Sequence, residues 1–307
     1  MSEYNFSIEA NKVNKTFLKR NDSVEALIDF DIKIPKGSIY GLLGPNGAGK
    51  STFINILGGL VKKNSGIIKI CNIDIDKNAK ESRKKIGIVP QELNIDPFFT
   101  PIELLELQAG LYGVRKKDRK SEEILSNLGL LDQRNAYART LSGGMRRRLL
   151  VAKALVHSPE IIILDEPTAG VDVNLRNNLW EYIRELNKLG TTICLTTHYL
   201  EEAENLCDEI TIINNGKIIK SDSKINLLNL IGTKTASFIL DKEYNIPNSL
   251  NKFNAKINEN KLTLNYDKQD IKLNEIINLL NKENIFFNEI NTYENDLEDV
   301  FLNLIKK

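Results

Sequence analysis

The sequence is poor in cysteine and has no long apolar run. Its 307 residues include only three cysteines, Cys71, Cys194 and Cys207. An odd number of widely spaced cysteines argues against a disulfide framework and favours a reducing compartment. No apolar stretch approaches the roughly 18 residues that a membrane-spanning helix needs, and residues 1–14 lack the cationic start and apolar core of a secretion signal. We therefore expect a cytoplasmic chain that does not cross a membrane by itself.

The chain also lacks an excess of charge of either sign. It has 42 lysines and arginines against 41 aspartates and glutamates, and only two histidines. This balance gives no overall basic field, and no acidic tail is visible. We therefore expect no nucleic-acid partner. The length leaves room for one sizeable domain and a smaller one.

The first 230 or so residues alternate short apolar runs with segments of helical period, as α/β domains do. Residues 161–164 and 193–195 are apolar throughout, which is typical of strands covered by helices on both faces. Turn signals at residues 35–37 and 214–216 suggest antiparallel strands beside the parallel core. The predicted strands are 6–13, 29–34, 38–43, 66–70, 86–89, 161–164, 192–196 and 209–214.

After about Gly232 the chain becomes denser in asparagine and lysine. Its last apolar stripe repeats with helical period after a predicted cap at Asn295. We predict a first domain over residues 1–232 and a small α+β domain over residues 233–307, with no catalytic constellation in the second. Its predicted strands are 236–240, 261–266 and 286–292, and its predicted helices are 274–282 and 296–306.

A glycine-rich segment follows the apolar run 39–43 and precedes a helical pattern. It reads G-x-x-x-x-G-K-[ST]. Glycines let consecutive backbone N–H groups converge on an anion, and a helix start adds roughly half a positive charge. Lys50 can reach the β- and γ-phosphates, and Ser51 offers a hydroxyl for Mg²⁺. The predicted nucleotide-phosphate site is Gly44, Pro45, Asn46, Gly47, Ala48, Gly49, Lys50, Ser51 and Thr52.

Two carboxylates, Asp165 and Glu166, end the apolar run 161–164. Charges at the tip of a hydrophobic strand are costly unless something compensates them. Mg²⁺ bound to a nucleotide is the obvious partner. We expect Asp165 to hold the metal, directly or through water, and Glu166 to polarise the attacking water. An ordinary solvent-exposed strand end is the alternative interpretation.

A second anion-binding helix start is predicted at Ser142-Gly143-Gly144, before a helix over residues 146–157. Ser142 can cap that helix, and the two glycines allow close backbone approach. One nucleotide cannot easily need two helix N-termini from distant parts of one subunit. A capped helix after a flexible turn is therefore the alternative.

Two charged runs are less specific. The three arginines at positions 146–148 are interpreted as a solvated helix face or as electrostatic support for a nearby phosphate. The glutamates at positions 201, 202 and 204 are interpreted as an exposed acidic helix start rather than a metal site.

With these segments the chain resembles the ABC ATPase family. In that family the L-S-G-G segment, here residues 141–144, meets the γ-phosphate bound to the P-loop of a second subunit. The P-loop, Gln91, the L-S-G-G segment, Asp165-Glu166 and His198 occur in the family's order. The resemblance implies an α/β fold, the P-loop NTPase ABC cassette, with a mixed sheet core, an antiparallel β edge and a helical subdomain at about residues 92–158.

The resemblance also implies roles for single residues. The glutamine that matches Gln91 contacts Mg²⁺ and the catalytic water, and the histidine that matches His198 bonds the γ-phosphate. Phe17 matches a ring that stacks on adenine, with Phe in place of the commoner Tyr, and residues 169–172 match the D-loop that couples the subunits. The implied catalytic residues are Glu166, His198 and Gln91; the implied Mg²⁺ ligands are Ser51, Gln91 and Asp165; and the implied ATP contacts are Phe17, residues 44–52, Ser142, Gly143, Gly144 and Asp172.

Several segments look like the exporter branch of the family, whose ATPases pair with separate type-2 export permeases for drugs, antibiotics or polysaccharides. These are residues 89–92, 141–148, 167–172 and 196–204, and the closing residues 297–302. Met145 stands where glutamine is common elsewhere, as is usual in that branch.

The exporter resemblance implies an ATP-hydrolysing motor subunit. Two copies would bind head to tail around two ATP molecules, and closure would move residues 96–113 to drive an integral membrane permease. The subunit would then be peripheral on the inner face of the cell membrane. The alternative is a soluble ABC ATPase that acts in assembly or regulation without a permease.

Overall fold

The computed structural model describes residues 4–19, 22–168, 173–230, 233–267, 270–293 and 296–305. The chain divides into an N-terminal unit, Met1–Ser223, and a C-terminal unit, Lys224–Lys307. This division falls earlier than the predicted boundary at Gly232, because helix Lys224–Leu228 contacts helix Leu297–Ile305 at the far end of the C-terminal unit.

The first sheet of the N-terminal unit is antiparallel. It consists of β1 (Phe6–Lys19), β2 (Asp22–Pro35), β4 (Ser65–Ile70) and β5 (Ile73–Asp74), in the order β2-β1-β4-β5. The β1–β2 pair extends beyond the predicted strands, because the backbone ladder continues through the polar pairs Thr16↔Glu25 and Lys19↔Asp22. Such backbone pairing does not require apolar residues, so the apolar runs that set the predicted bounds end before the strands do.

The second sheet carries the parallel core. Its strands lie in the order β10-β9-β3-β8-β7-β6, parallel from β9 to β6, with β10 antiparallel to β9. The carboxyl ends of parallel strands share one edge, where α/β proteins bind ligands. This edge therefore receives the segments that follow β3, β6, β7 and β8. The strands are β3 (Ile39–Leu43), β6 (Ile86–Val89), β7 (Ile161–Asp165), β8 (Thr192–Thr197), β9 (Glu209–Asn214) and β10 (Lys217–Ser223).

Seven helices are described in the N-terminal unit. A capping box begins the helix Pro101–Leu111, since Thr100 Oγ1 accepts from the Glu103 N–H while the Glu103 carboxylate accepts from the Thr100 N–H. Three of the helices, α3, α4 and α5, contact one another as the helical subdomain. The helices are α1 (Lys50–Leu57), α2 (Ala79–Lys84), α3 (Pro101–Leu111), α4 (Ser121–Asn127), α5 (Gly143–Leu155), α6 (Val173–Lys188) and α7 (Leu200–Leu206).

One buried cluster joins both sheets beneath α1. Phe53 of α1 lies 5.0 Å, between ring centroids, from Phe30 of β2, and Leu42 of β3 and Ile163 of β7 belong to the same cluster. Fully burying such a side chain contributes roughly 1.5–3 kcal/mol. The core thus supports the helix that begins at the glycine-rich loop.

All three cysteines are buried free thiols. Burial raises the pKa of Cys194 to about 12, so this thiol stays protonated. Within the part of the chain that the structure describes, each helix is too short or too polar to span a bilayer.

The C-terminal unit is an α+β module with an antiparallel sheet in the order β12-β13-β11-β14. Ile276 and Leu280 of its longest helix are buried in one cluster with Phe238 and Leu264 of the sheet. The short strand β12 was not predicted, because three residues carry no readable alternation. The elements are α8 (Lys224–Leu228), β11 (Thr233–Leu240), β12 (Lys256–Asn258), β13 (Lys261–Asp267), α9 (Leu273–Lys282), β14 (Phe287–Tyr293) and α10 (Leu297–Ile305). The cap predicted at Asn295 lies outside the described residues.

Candidate nucleotide and catalytic site

The glycine-rich loop connects β3 to α1 through a turn that needs glycine. Gly47 and Gly49 have φ of +82° and +112°, which side chains rarely adopt. A Cβ at Gly49 would lie 2.5 Å from the Ala26 carbonyl oxygen, and one at Gly44 would lie 2.4 Å from the Ile213 carbonyl oxygen. Conformation and close packing therefore both require glycine in this loop.

Lys50 is the first residue of α1 and is only 5% exposed. Its Nζ donates to the carbonyl oxygens of Gly44, at 2.6 Å, and Pro45, at 3.1 Å. Burial lowers the pKa of Lys50, whereas the Glu166 and Asp165 carboxylates oppose that shift. The loop therefore holds an ammonium group within the electrostatic reach of the two carboxylates.

Asp165 is the last residue of β7 and Glu166 follows it; both are buried. Thr196 Oγ1 donates to Asp165 Oδ1 at 2.5 Å, and the Glu166 N–H donates to the Thr196 carbonyl oxygen at 3.0 Å. Glu166 has a φ of +48°, a left-handed conformation that is uncommon for residues other than glycine and concentrates at functional sites. The alternative of a solvent-exposed strand end is therefore wrong.

The Glu166 carboxylate is contacted from two neighbouring strand ends. Gln91, after β6, donates from Nε2 to Glu166 Oε2 at 2.8 Å. His198, after β8, has its Nδ1 3.2 Å from Glu166 Oε1. The structure thus brings the three predicted catalytic residues together around one carboxylate.

The predicted metal ligands are a hydroxyl from Ser51, an amide oxygen from Gln91 and a carboxylate from Asp165. Mg²⁺ prefers oxygen ligands and is often bound by one or two carboxylates plus substrate phosphates. The donor set therefore fits Mg²⁺ that arrives with a nucleotide. Among the described residues, no group of three or more His, Cys, Asp and Glu side chains is arranged to hold a metal ion.

Ser142 caps α5, because its Oγ accepts from the Met145 N–H at 3.2 Å. The helix therefore begins at Gly143, three residues before its predicted start. Ser142 and Gly143 are exposed, and a Cβ at Gly143 would meet no atom within 4 Å. Within the described residues, no hydrogen bond links residues 142–144 to residues 44–52. The predicted second helix N-terminus is therefore present, and it is accessible to a ligand.

The remaining predicted contacts are Phe17 and Asp172. Phe17 lies in β1 with its side chain 37% exposed, and Lys15 Nζ is 4.7 Å from its ring centroid. The ring is therefore accessible to a planar ligand. Asp172 and the rest of the predicted D-loop, residues 169–172, lie outside the described residues.

The sequence did not predict the positions of three residues of this region, Thr196, Arg147 and Glu202. Thr196 donates a hydrogen bond to Asp165. Arg147 is buried on α5, so the solvated face expected for the arginine run is wrong at this position. Glu202 is 1% exposed and accepts from Trp180 Nε1 at 3.3 Å, so an exposed helix start is wrong there. Helical spacing carried the signal for Arg147, since Leu150, Val151 and Ala154 of the same face are buried with it.

Comparison with known proteins identifies the family. The family model described as ABC transporter matches residues 27–169. The linearmycin resistance ATP-binding protein LnrL of Bacillus subtilis (strain 168) is 40% identical over 230 residues, which are 74% of this chain and 73% of that protein. The daunorubicin resistance ATP-binding protein DrrA2 of Streptomyces coeruleorubidus is 34% identical over 297 residues, covering 93% of this chain and 92% of that protein.

Solved structures agree with the sequence relatives. The dimeric ATP-binding cassette MJ0796, in a post-hydrolysis state bound to ADP and Pi, aligns with a TM-score of 0.64 at 29% identity, over 70% of this chain and 98% of that one. The structure of an ATP-binding subunit of an ABC transporter aligns with a TM-score of 0.65 at 26% identity, over 73% of this chain and 93% of that one. The predicted α/β P-loop NTPase fold is thereby confirmed. The chain belongs to the ABC transporter family, as an ATP-binding and ATP-hydrolysing subunit of the exporter type.

Proposed function

We propose that two copies of this chain bind head to tail around two Mg²⁺–ATP complexes and drive a separate membrane permease. The observation that carries the proposal is the Glu166 carboxylate, held by Gln91 and His198 and within electrostatic reach of the Lys50 ammonium. This arrangement joins a candidate base to a candidate phosphate anchor.

The N-terminal unit binds ATP through its loop and one aromatic ring. Backbone N–H groups of residues 44–52, the N-terminus of α1 and Lys50 bind the phosphates. Phe17 stacks on adenine with its exposed ring. Mg²⁺, when bound, neutralises charge on the β- and γ-phosphates.

Hydrolysis is a single displacement at the γ-phosphorus. A water oxygen forms a bond to that atom while the bond to the bridging oxygen of ADP breaks. Glu166 accepts the proton that the attacking water loses. Gln91 and His198 hold the Glu166 carboxylate in place, because each contacts one of its oxygens. Inorganic phosphate and ADP are the products.

The open N-terminus of α5 is the second phosphate contact. Ser142, Gly143 and Gly144 present backbone N–H groups and the positive end of a helix. In a head-to-tail pair they meet the γ-phosphate that the other copy holds. ATP can bridge the two copies in this way, whereas ADP lacks the bridging group, so hydrolysis reopens the dimer.

The permease contacts residues 96–113. Three large apolar side chains of this segment, Phe98, Leu107 and Leu111, are exposed to solvent. A cleft of about 460 Å³ lies along α3, and its lining includes Gln108 and Tyr112. Leu107 and Leu111 lie one turn apart on α3, and neighbouring exposed apolar side chains favour a partner site. This contact holds the subunit on the inner face of the membrane.

The dimer is tested with Glu166→Gln, which keeps the shape of the side chain and removes the base. We expect turnover to fall by roughly 10²-fold or more with ATP binding preserved, and light scattering to find a dimer with Mg²⁺–ATP and a monomer with Mg²⁺–ADP. Glu81→Gln, at an exposed position, is the control for turnover. Only monomers of Glu166→Gln at saturating Mg²⁺–ATP would overturn the head-to-tail dimer.

The permease is tested by co-purification with any integral membrane protein that a gene adjacent to the gene for this chain encodes. Leu111→Glu should abolish co-purification while leaving ATP binding intact. Leu189→Glu changes another exposed leucine, immediately after α6, and should have no effect. A wild-type chain that hydrolyses ATP at its full rate but co-purifies with no membrane protein would instead support the permease-free alternative.

A further inference from the structure

Arg147 is a buried cation on the helix that carries the Ser142–Gly144 segment. Its side chain is 6% exposed. The Nη1 atom donates to the Pro90 carbonyl oxygen at 3.0 Å, and Pro90 immediately precedes Gln91. Arg147 therefore connects α5 directly to the loop that supplies one partner of Glu166.

Burying this guanidinium is costly. A buried charge loses its hydration and needs compensation, and burial indeed lowers the pKa of Arg147. The carboxylates of Asp165 and Glu166 oppose that shift through electrostatic attraction. The neighbouring buried residues on the same face, Leu150 and Val151, are apolar, so an apolar residue at position 147 would avoid the desolvation cost.

We propose that Arg147 is a positioning residue that couples the position of α5 to the orientation of Gln91 and, through it, of Glu166. The proposal rests on the function proposed above. A nucleotide that contacts Ser142 and Gly143 displaces α5. Because Arg147 donates to the Pro90 carbonyl oxygen, this displacement also moves Gln91, the next residue in the chain. Phosphate contact at one site of the dimer thus adjusts water activation at the other.

Arginine suits this role better than lysine does. Its planar guanidinium has five donors in a fixed geometry, whereas the lysine ammonium is a single point on a flexible chain. Arg148, the next residue, donates instead to the carbonyl oxygens of Leu128 and Gly129, within the helical subdomain. Only Arg147 of this pair contacts the Gln91 loop.

The test compares Arg147→Met and Arg147→Lys in wild-type, Gln91→Ala and Glu166→Gln backgrounds. In the wild type we expect Arg147→Met to lower kcat by about 10-fold with little change in KM, the loss typical of a hydrogen bond to a charged group. Arg147→Lys should recover part of that loss. In the Gln91→Ala background Arg147→Met should have less than about a twofold effect, because the path passes through Gln91. Arg115→Met, at an exposed arginine, should leave kcat unchanged.

Two results would overturn the proposal: an unchanged kcat in Arg147→Met, or the same fold-loss with and without Gln91. If Arg147→Met does not fold, as judged by thermal unfolding, the comparison is made with Arg147→Lys under the same criteria. The Glu166→Gln background distinguishes a failure of the Arg147 proposal from a failure of the proposed head-to-tail dimer. Failure of Glu166→Gln alone to dimerise with Mg²⁺–ATP counts against the proposed function, whereas a normal dimer with an unaffected kcat counts against Arg147.

Discussion

Gln91 and Glu166, 75 positions apart in the chain, are joined by a hydrogen bond of 2.8 Å from the Gln91 amide to Glu166 Oε2. The bond connects the loop after β6 to the end of β7. His198 occupies the other carboxylate oxygen at 3.2 Å. Both oxygens of the proposed base therefore have a protein partner, and its orientation depends on residues from two other strands.

This contact predicts that Gln91 acts through Glu166. Gln91→Ala should lower turnover by about 10-fold, the loss typical of a hydrogen bond to a charged group. In a Glu166→Gln background the same change should cost less than about twofold, since effects of residues that act as a unit are not additive. Single-turnover ATP hydrolysis measures both. An equal fold-loss in the two backgrounds would show that Gln91 acts by another route, such as the metal.

The glycine-rich loop predicts a contrast between two alanine substitutions. Both Gly47 and Gly49 have positive φ, but only a Cβ at Gly49 meets backbone, 2.5 Å from the Ala26 carbonyl oxygen. Gly49→Ala should lower the melting temperature and abolish ATP binding, whereas Gly47→Ala should cost only the backbone strain of about 1–2 kcal/mol. Thermal unfolding and ATP titration compare the two. Equal losses would mean that conformation alone, rather than packing, requires glycine.

His157 predicts a pH-dependent stability. It stacks on Tyr112, with ring centroids 3.7 Å apart, and its Nε2 lies 3.0 Å from the Ile86 carbonyl oxygen. Burial lowers the pKa of His157 below its usual value of about 6.5. The unfolded chain therefore binds a proton more readily than the folded chain, and the free energy of unfolding should fall as the pH falls from about 6.5 toward the folded pKa.

Denaturant unfolding at several pH values measures the free energy of unfolding of the wild type and of His157→Gln. The difference between the two gives the contribution of His157 to the pH dependence. The wild type should lose more stability than the variant between pH 7 and pH 5. Parallel curves would mean that His157 is protonated equally in the folded and unfolded chain.

The exposed ring of Phe17 predicts that removing it weakens binding of the adenine base and leaves binding of the phosphates unchanged. Aromatic stacking on a base contributes roughly 1–3 kcal/mol, so Phe17→Ala should weaken ATP binding by about 10-fold or more, while Phe17→Tyr should bind normally. Affinity for inorganic tripolyphosphate, which has no base, should not change. Val24→Ala, at the cross-strand partner of Phe17, is the matched control. Equal weakening of ATP and tripolyphosphate binding would contradict a stacking role.

The glycine-rich loop, the Asp165-Glu166 pair and the Ser142 cap could be predicted because each has a local signal, whereas the roles of Gln91 and His198 followed only from the family resemblance. The end of a strand is marked where an apolar run is followed by the glycine-rich loop and Lys50, or by Asp165 and Glu166. This signal depends only on neighbouring residues in the chain. Thr196 had no such signal, and helical spacing showed only that Arg147 shares a face with buried residues. Their contacts with Asp165 and Pro90 join residues that are 31 and 57 positions apart. Polar residues of these types are usually exposed.

The sequence by itself determined where the main strands of the N-terminal unit lie along the chain, the glycine-requiring turn before Lys50 and the cap at Ser142. These features depend on propensity, apolar periodicity and capping, which act between near neighbours. Only the tertiary structure decided that Gln91 and His198 meet on Glu166, that Arg147 is buried against Pro90 and that the first unit ends at Ser223. Those outcomes depend on how parallel strands align at one sheet edge and on which helix face is covered, and both are set by packing between segments far apart in the chain.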